Sequence, residues 1–156
     1  MSNDLNFYIN GDWVKSDSNK LIDVINPANE EVVGQVTAGT KKDIDKAVAA
    51  ALDAFDSYQC TSKEQRIELL NNIITEYKNR YDDFVQIITK EMGAPIWLSE
   101  RAQASTGIKN IQETLDALND YEFEKPEGDY TLIKEPIGVI GTVSYTHLRA
   151  HETTDN

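Results

Sequence analysis

The sequence predicts an α/β chain in which a β-rich lead-in and four amphipathic helices precede the opening strand of a parallel sheet. Three observations carry that reading. Asn10-Gly11 lies between two short β-prone runs, apolar residues recur at helical spacing in four stretches between Ile44 and Leu118, and Val139, Ile140, Thr142 and Val143 form a β-branched run behind Pro136. Such a run suits a strand buried on both faces, as strands of parallel sheets are. Parallel neighbours arrive only through crossovers of about a dozen or more residues, and thirteen residues follow Val143. The sheet is therefore expected to be incomplete within this chain.

In order, Phe7 to Val14 reads as a hairpin, because Asn-Gly accepts the positive φ angles of a type I′ turn. Leu21 to Ile25 and Glu31 to Val36 are strand candidates separated by the turn signal Asn26-Pro27. Thr40-Lys41-Lys42-Asp43 has capping-box spacing ahead of Ile44, Val48, Leu52 and Phe55. Thr61-Ser62-Lys63-Glu64 repeats the signal ahead of Ile67, Leu70, Ile74 and Tyr77. A third helix, from near Asp82 to Met92 with Phe84, Ile87 and Ile88, ends at Gly93 and Pro95. A fourth covers Ile96 to Leu118, with Gly107 as its weak point. Tyr121 to Glu127 reads as an acidic, aromatic connection, Gly128-Asp129 as a turn, and Tyr130 to Lys134 as a strand.

Composition excludes several functions. With 27 acidic and 15 basic residues the net charge is −12, which opposes binding to nucleic acid or to an anionic membrane surface. No apolar run approaches the roughly 18 residues that span a bilayer, and the N-terminus lacks a signal-peptide pattern. A cytoplasmic location is the expectation. The single cysteine, Cys60, rules out an intrachain disulfide framework.

The motifs Tyr8-Ile9-Asn10-Gly11-Asp12-Trp13-Val14, Val24-Ile25-Asn26-Pro27-Ala28-Asn29-Glu30-Glu31 with Val33-Gly34, Ala47-Val48 with Ala50-Ala51, Glu91-Met92-Gly93-Ala94-Pro95, and Glu135-Pro136-Ile137-Gly138-Val139-Ile140-Gly141 occur in this order over residues 7 to 143. Together they resemble the N-terminal part of the NAD(P)-dependent aldehyde dehydrogenase superfamily. The resemblance implies an incomplete aldehyde dehydrogenase-like fold: the lead-in, four helices, an oligomerisation-arm strand at Tyr130 to Lys134, and the first strand of a Rossmann-like sheet. It implies a parent protein that oxidises an aldehyde to a carboxylic acid with NAD or NADP through a cysteine thiohemiacetal, with glutamate-activated water completing the reaction. The parent would be a homo-oligomer, a dimer or tetramer.

In that family the last motif runs into [ST]-P-W-N, whose asparagine helps hold the oxyanion. Here Ser144 fits the first position, but Tyr145, Thr146 and His147 replace the rest. The family's cysteine and glutamate would lie beyond this sequence. No catalytic residue is therefore assigned, and only Val143 and Ser144 are carried over, as the edge of the cofactor cleft. Ser144 to Asn156 is polar and resembles translated sequencing-adapter DNA. The expectation is a truncated gene product: residues 1–143 as a partial cofactor-binding domain that binds no cofactor tightly, and 144–156 as a non-homologous, disordered tail.

Other candidates have plainer readings. Cys60 precedes a helix cap with Lys63 near, yet it lies in a helix connection and is read as a bystander. His147 and His151 are four apart, but two ligands fall short of a zinc site, so no metal is expected. Asp116 to Glu124 reads as a solvated acidic face. Gly138 and Gly141 lack the context of a phosphate loop and are expected to allow close backbone packing. The rival to the enzyme reading is a self-sufficient, non-catalytic helical interaction module.

Overall fold

A computed structural model describes residues 3–143. Its lead-in is two antiparallel hairpins. β1 (Asn6–Ile9) pairs with β2 (Asp12–Lys15), with Ile9 opposite Asp12. Asn10 and Gly11 carry the turn at φ 55° and 83°, as the Asn-Gly signal requires. β3 (Leu21–Ile25) pairs with β4 (Val32–Thr37) through a register irregularity beside Val24 and Ile25. Between them the Asn26 side chain accepts from the Ala28 N–H at 2.9 Å.

α1 (Lys41–Tyr58) begins with the expected capping box, Thr40 and Asp43 satisfying each other's backbone N–H. Its apolar face is largely uncovered, with Ile44, Val48 and Leu52 at 63%, 44% and 54% exposed. α2 (Lys63–Asn79) starts one residue later than its sequence signal suggests. The cap is Ser62 with Gln65, not Thr61 with Glu64. Thr61 is otherwise engaged: its hydroxyl donates to the Tyr58 carbonyl at 2.7 Å and accepts from Arg66 Nε at 2.9 Å, so it closes α1 instead of opening α2.

α3 (Tyr81–Met92) ends at Gly93, which has φ 64°. A Cβ there would lie 2.8 Å from Ala28 and from the Asn26 carboxamide oxygen, so glycine also permits the close approach of the β3–β4 turn. The expected fourth helix is three pieces: α4 (Ile96–Leu98), a π-helical stretch Ser99–Gln103, and α5 (Ala104–Asp120). The irregularity falls at 99–103, not at Gly107. The Tyr81 hydroxyl donates to the Glu100 carbonyl and the Tyr77 hydroxyl to the Ala104 carbonyl at 2.9 Å. Ser99, fully buried, bonds Thr89 Oγ1 at 2.8 Å. These partners satisfy groups at and beside the widened turn.

The core is small. Ile74 of α2, Val85 of α3, and Ala104 and Leu115 of α5 are its buried apolar side chains among the described residues. α2 packs on α5, and α3 on the π-helical stretch. On α3 it is Val85 that is buried, while Ile87 is half exposed.

After α5 the chain forms a third hairpin, β5 (Glu124–Glu127) with β6 (Tyr130–Ile133), turning at Gly128 with φ 66°. β5 lies in the segment expected to be a connection. Its charged, proline-containing sequence gives no strand signal, and pairing with β6 imposes the conformation. Pairing also decides the fate of residues 134–143, which carry no helix or strand. The apolar run expected to open a parallel sheet is uncovered, with Ile137, Ile140 and Val143 at 90%, 67% and 72% exposed. A strand needs a hydrogen-bonded neighbour, and among the described residues the sheets are three separate antiparallel hairpins.

Candidate functional site

Of the two positions expected at the cofactor edge, Val143 is described and is exposed, while Ser144 lies outside the described residues. Among the described residues, none forms a cradle around Val143, which is 72% exposed. Gly138 and Gly141 have no atom within 4 Å of a would-be Cβ, which corrects the expectation that they allow close packing. Gly138 instead occupies φ 117°, a conformation that side-chain-bearing residues rarely adopt. A dinucleotide site needs a strand end, a tight glycine turn and a helix N-terminus together, and residues 134–143 supply none of these. The described residues therefore do not fit a dinucleotide by themselves.

Cys60 is exposed at the end of α1, and its thiol donates to the Asp56 carbonyl at 3.5 Å. That contact holds the sulfur against the terminal carbonyls of α1. The two cations near it are committed elsewhere: Lys63 donates to the Asn119 and Tyr121 carbonyls at 2.7 and 3.1 Å, and Arg66 to Thr61 and Gln59. His147 and His151 lie outside the described residues. Among those described, no three His, Cys, Asp or Glu side chains gather into a metal site. In the acidic segment, Asp116 accepts from Gln112 within α5 at 3.1 Å, and Asp116, Asp120, Glu122 and Glu124 are exposed.

Among the described residues, an open cleft of ≈ 770 Å³ lies between the α1–α2 connection, the end of α5 and the root of the β5–β6 hairpin. Lys63, Arg66 and Lys134 line it together with Tyr121 and Phe123. Arg66 lies 5.3 Å from the Phe123 ring centroid and Lys134 4.1 Å from that of Tyr121. Sequence reading missed this cluster. Its only signal is Lys63 and Arg66 three apart on one face of α2's first turn.

Among the described residues, three ionisable groups depart from their ordinary behaviour. The Asp43 carboxyl is held low by hydrogen bonds from Ser16 and Thr40. Its Oδ2 accepts from Ser16 Oγ, the Thr40 N–H and Thr40 Oγ1 at 2.6, 2.8 and 2.7 Å, and its Oδ1 is buried without a partner among the described residues. This hub ties the segment after β2 to the start of α1. Glu64 is lowered by its own backbone N–H and the Ser62 side chain at α2's N-terminus. Burial, aided by nearby Tyr81, pushes the Tyr77 phenol up. All three lie at helix starts or packing contacts, away from residues 134–143. No described helix is long and apolar enough to cross a membrane.

Comparison with known proteins supplies what this geometry leaves open. A model of the aldehyde dehydrogenase family matches residues 13–144. A Staphylococcus aureus (strain USA300) protein classed by name with the aldehyde dehydrogenases is 48% identical over 147 residues, which is 94% of this chain and 31% of that protein. The chain thus spans about a third of the length of the curated relatives it matches. Among solved structures, an aldehyde dehydrogenase from Bartonella henselae superposes with a TM-score of 0.78 at 34% identity, over 83% of this chain and 28% of that one. Aldehyde dehydrogenase C from Pseudomonas syringae, a mutant solved with NAD+ and octanal, superposes with a TM-score of 0.78 at 36% identity, over 81% and 26%. A Mycobacterium tuberculosis aldehyde dehydrogenase complexed with NAD+ gives 0.77 at 27% identity, over 85% and 29%. The helices, the small strands and the order of motifs thus fall together, and the chain belongs to the aldehyde dehydrogenase family.

Proposed function

We propose that this sequence is the N-terminal part of an enzyme that oxidises an aldehyde to a carboxylic acid with NAD or NADP, and that the 156-residue chain alone has no turnover. The observation that carries the reading is a family match over residues 13–144 in a chain spanning 31% of its relatives. The exposed Cys60 thiol, set against helix-terminal carbonyls, supports the second half. Residues 1–143 form a partial cofactor-binding domain and 144–156 a tail outside it: the family match ends at residue 144, and the alignment with the Staphylococcus aureus protein, over 94% of the chain, runs a few residues further. The whole enzyme is cytoplasmic and homo-oligomeric, and Val143 and Ser144 form the edge of a nicotinamide-cofactor cleft whose remaining residues belong to the rest of the enzyme. The uncovered Ile44, Val48, Leu52, Ile137 and Ile140 speak for this reading over a self-sufficient interaction module, which would bury them.

The test is the genomic DNA beyond the codon for Val143. An open frame continuing with proline, tryptophan and asparagine, and later encoding a cysteine nucleophile and a glutamate, is the expected result. Full-length transcripts ending naturally after Asn156 would overturn the proposal.

A further inference from the structure

The β5–β6 hairpin is not held in place by apolar burial. Every residue of both strands is exposed except Glu127, which is half-buried, and Tyr130, Leu132 and Ile133 are 67%, 47% and 58% exposed. What fixes its direction must act at its root. There α5 ends at Tyr121 with no basic residue in its last turn and an extended cap, φ −78° and ψ 128°. The terminal carbonyls of a helix favour a cation. Lys63, on the first turn of α2, supplies one across the helix pair, donating to the carbonyls of both Asn119 and Tyr121.

One turn on, Arg66 stands over Phe123, whose ring meets Tyr121 edge to face at 4.9 Å. Lys134, leaving β6, lies over Tyr121 and donates its backbone N–H to the Phe123 carbonyl at 2.8 Å. Both ends of the hairpin therefore converge on residues 121–123. That point is held to the helices by Lys63 and Arg66.

We propose that Lys63 and Arg66 form an electrostatic latch that sets the angle at which the β5–β6 hairpin leaves the helical body. Arg66 is itself fixed from behind by Thr61 and the Gln59 carbonyl, so the latch is built on the α1–α2 connection. Cys60 and Thr61 share the cleft that the latch closes on one side. The hairpin's unpaired edges meet any β-pairing partner at the angle the latch sets.

Hydrogen exchange of the 156-residue chain, read by mass spectrometry over 121–134, tests this. Lys63→Ala is expected to speed exchange of the hairpin amides about tenfold, the equivalent of one charge-assisted hydrogen bond, with α3 amides unchanged and Lys63→Arg restoring most of the protection. Arg66→Ala should act in the same segment. In the unmutated chain, raising the ionic strength should accelerate the hairpin but not α3. Unchanged hairpin exchange in Lys63→Ala, equal acceleration throughout α2, α3 and α5, or salt-independent hairpin protection in the unmutated chain would each overturn the latch.

Discussion

Gly107 of α5 lies directly beneath the ring of Tyr77 of α2: a Cβ on Gly107 would sit 2.5 Å from the Tyr77 hydroxyl oxygen and 2.7 Å from Cζ. The ring cannot retreat freely. Its hydroxyl is bonded to the Ala104 carbonyl, and its face is stacked on Phe84 at 4.3 Å. Gly107→Ala, ordinarily favourable in a helix, is therefore expected to destabilise the chain by about 1–3 kcal/mol through overpacking. Tyr77→Phe should cost about 1 kcal/mol through the lost hydrogen bond. Urea denaturation followed by circular dichroism reads both.

The Asp43 hub predicts an acid limb. Its folded pKa lies below the ordinary 3.8, so the stability it contributes is complete above that value and is lost as pH falls through it toward the folded value. Tyr77, raised above its ordinary 10.0, gives the opposite limb: its contribution is complete below pH 10 and is lost as pH rises beyond it. Thermal melts across pH should show both limbs, with the acid one shallower in Asp43→Asn and the alkaline one shallower in Tyr77→Phe.

The two capping boxes predict independent losses. Thr40→Ala and Ser62→Ala should each cost about 1 kcal/mol, and their effects should add, since the caps open separate helices and share no partner. Equilibrium unfolding of the single and double variants measures this.

The uncovered apolar surface predicts dye binding. With Ile44, Val48, Leu52, Ile137 and Ile140 exposed, the chain at neutral pH should enhance the fluorescence of an apolar-surface dye such as ANS. Replacing Ile137 and Ile140 with serine should reduce that signal without lowering stability, because neither side chain is buried.

Local chemistry was the most readable part of the fold. Asn10-Gly11, the Thr40–Asp43 box and the Gly93–Pro95 stop act within a few residues, so their signals survive in sequence. Choices set by tertiary partners were not readable. Thr61 and Ser62 are equivalent caps on paper, and only the bonds from Thr61 to Tyr58 and Arg66 separate them. The π-helical turn depends on Tyr77, Tyr81 and Thr89 reaching across from other helices. Val139 to Val143 has the composition of a buried strand, but composition cannot provide the neighbour a strand requires. The site was legible only through resemblance, and the residues that line the cleft, Lys63, Arg66 and Lys134, carry no motif.

The most direct measurement is aldehyde-dependent formation of NADH or NADPH by the purified 156-residue chain, assayed with several aldehydes and both oxidised cofactors. The account predicts no turnover above the protein-free control, with Cys60→Ser indistinguishable from the unmutated chain. Steady turnover that Cys60→Ser abolishes would contradict it.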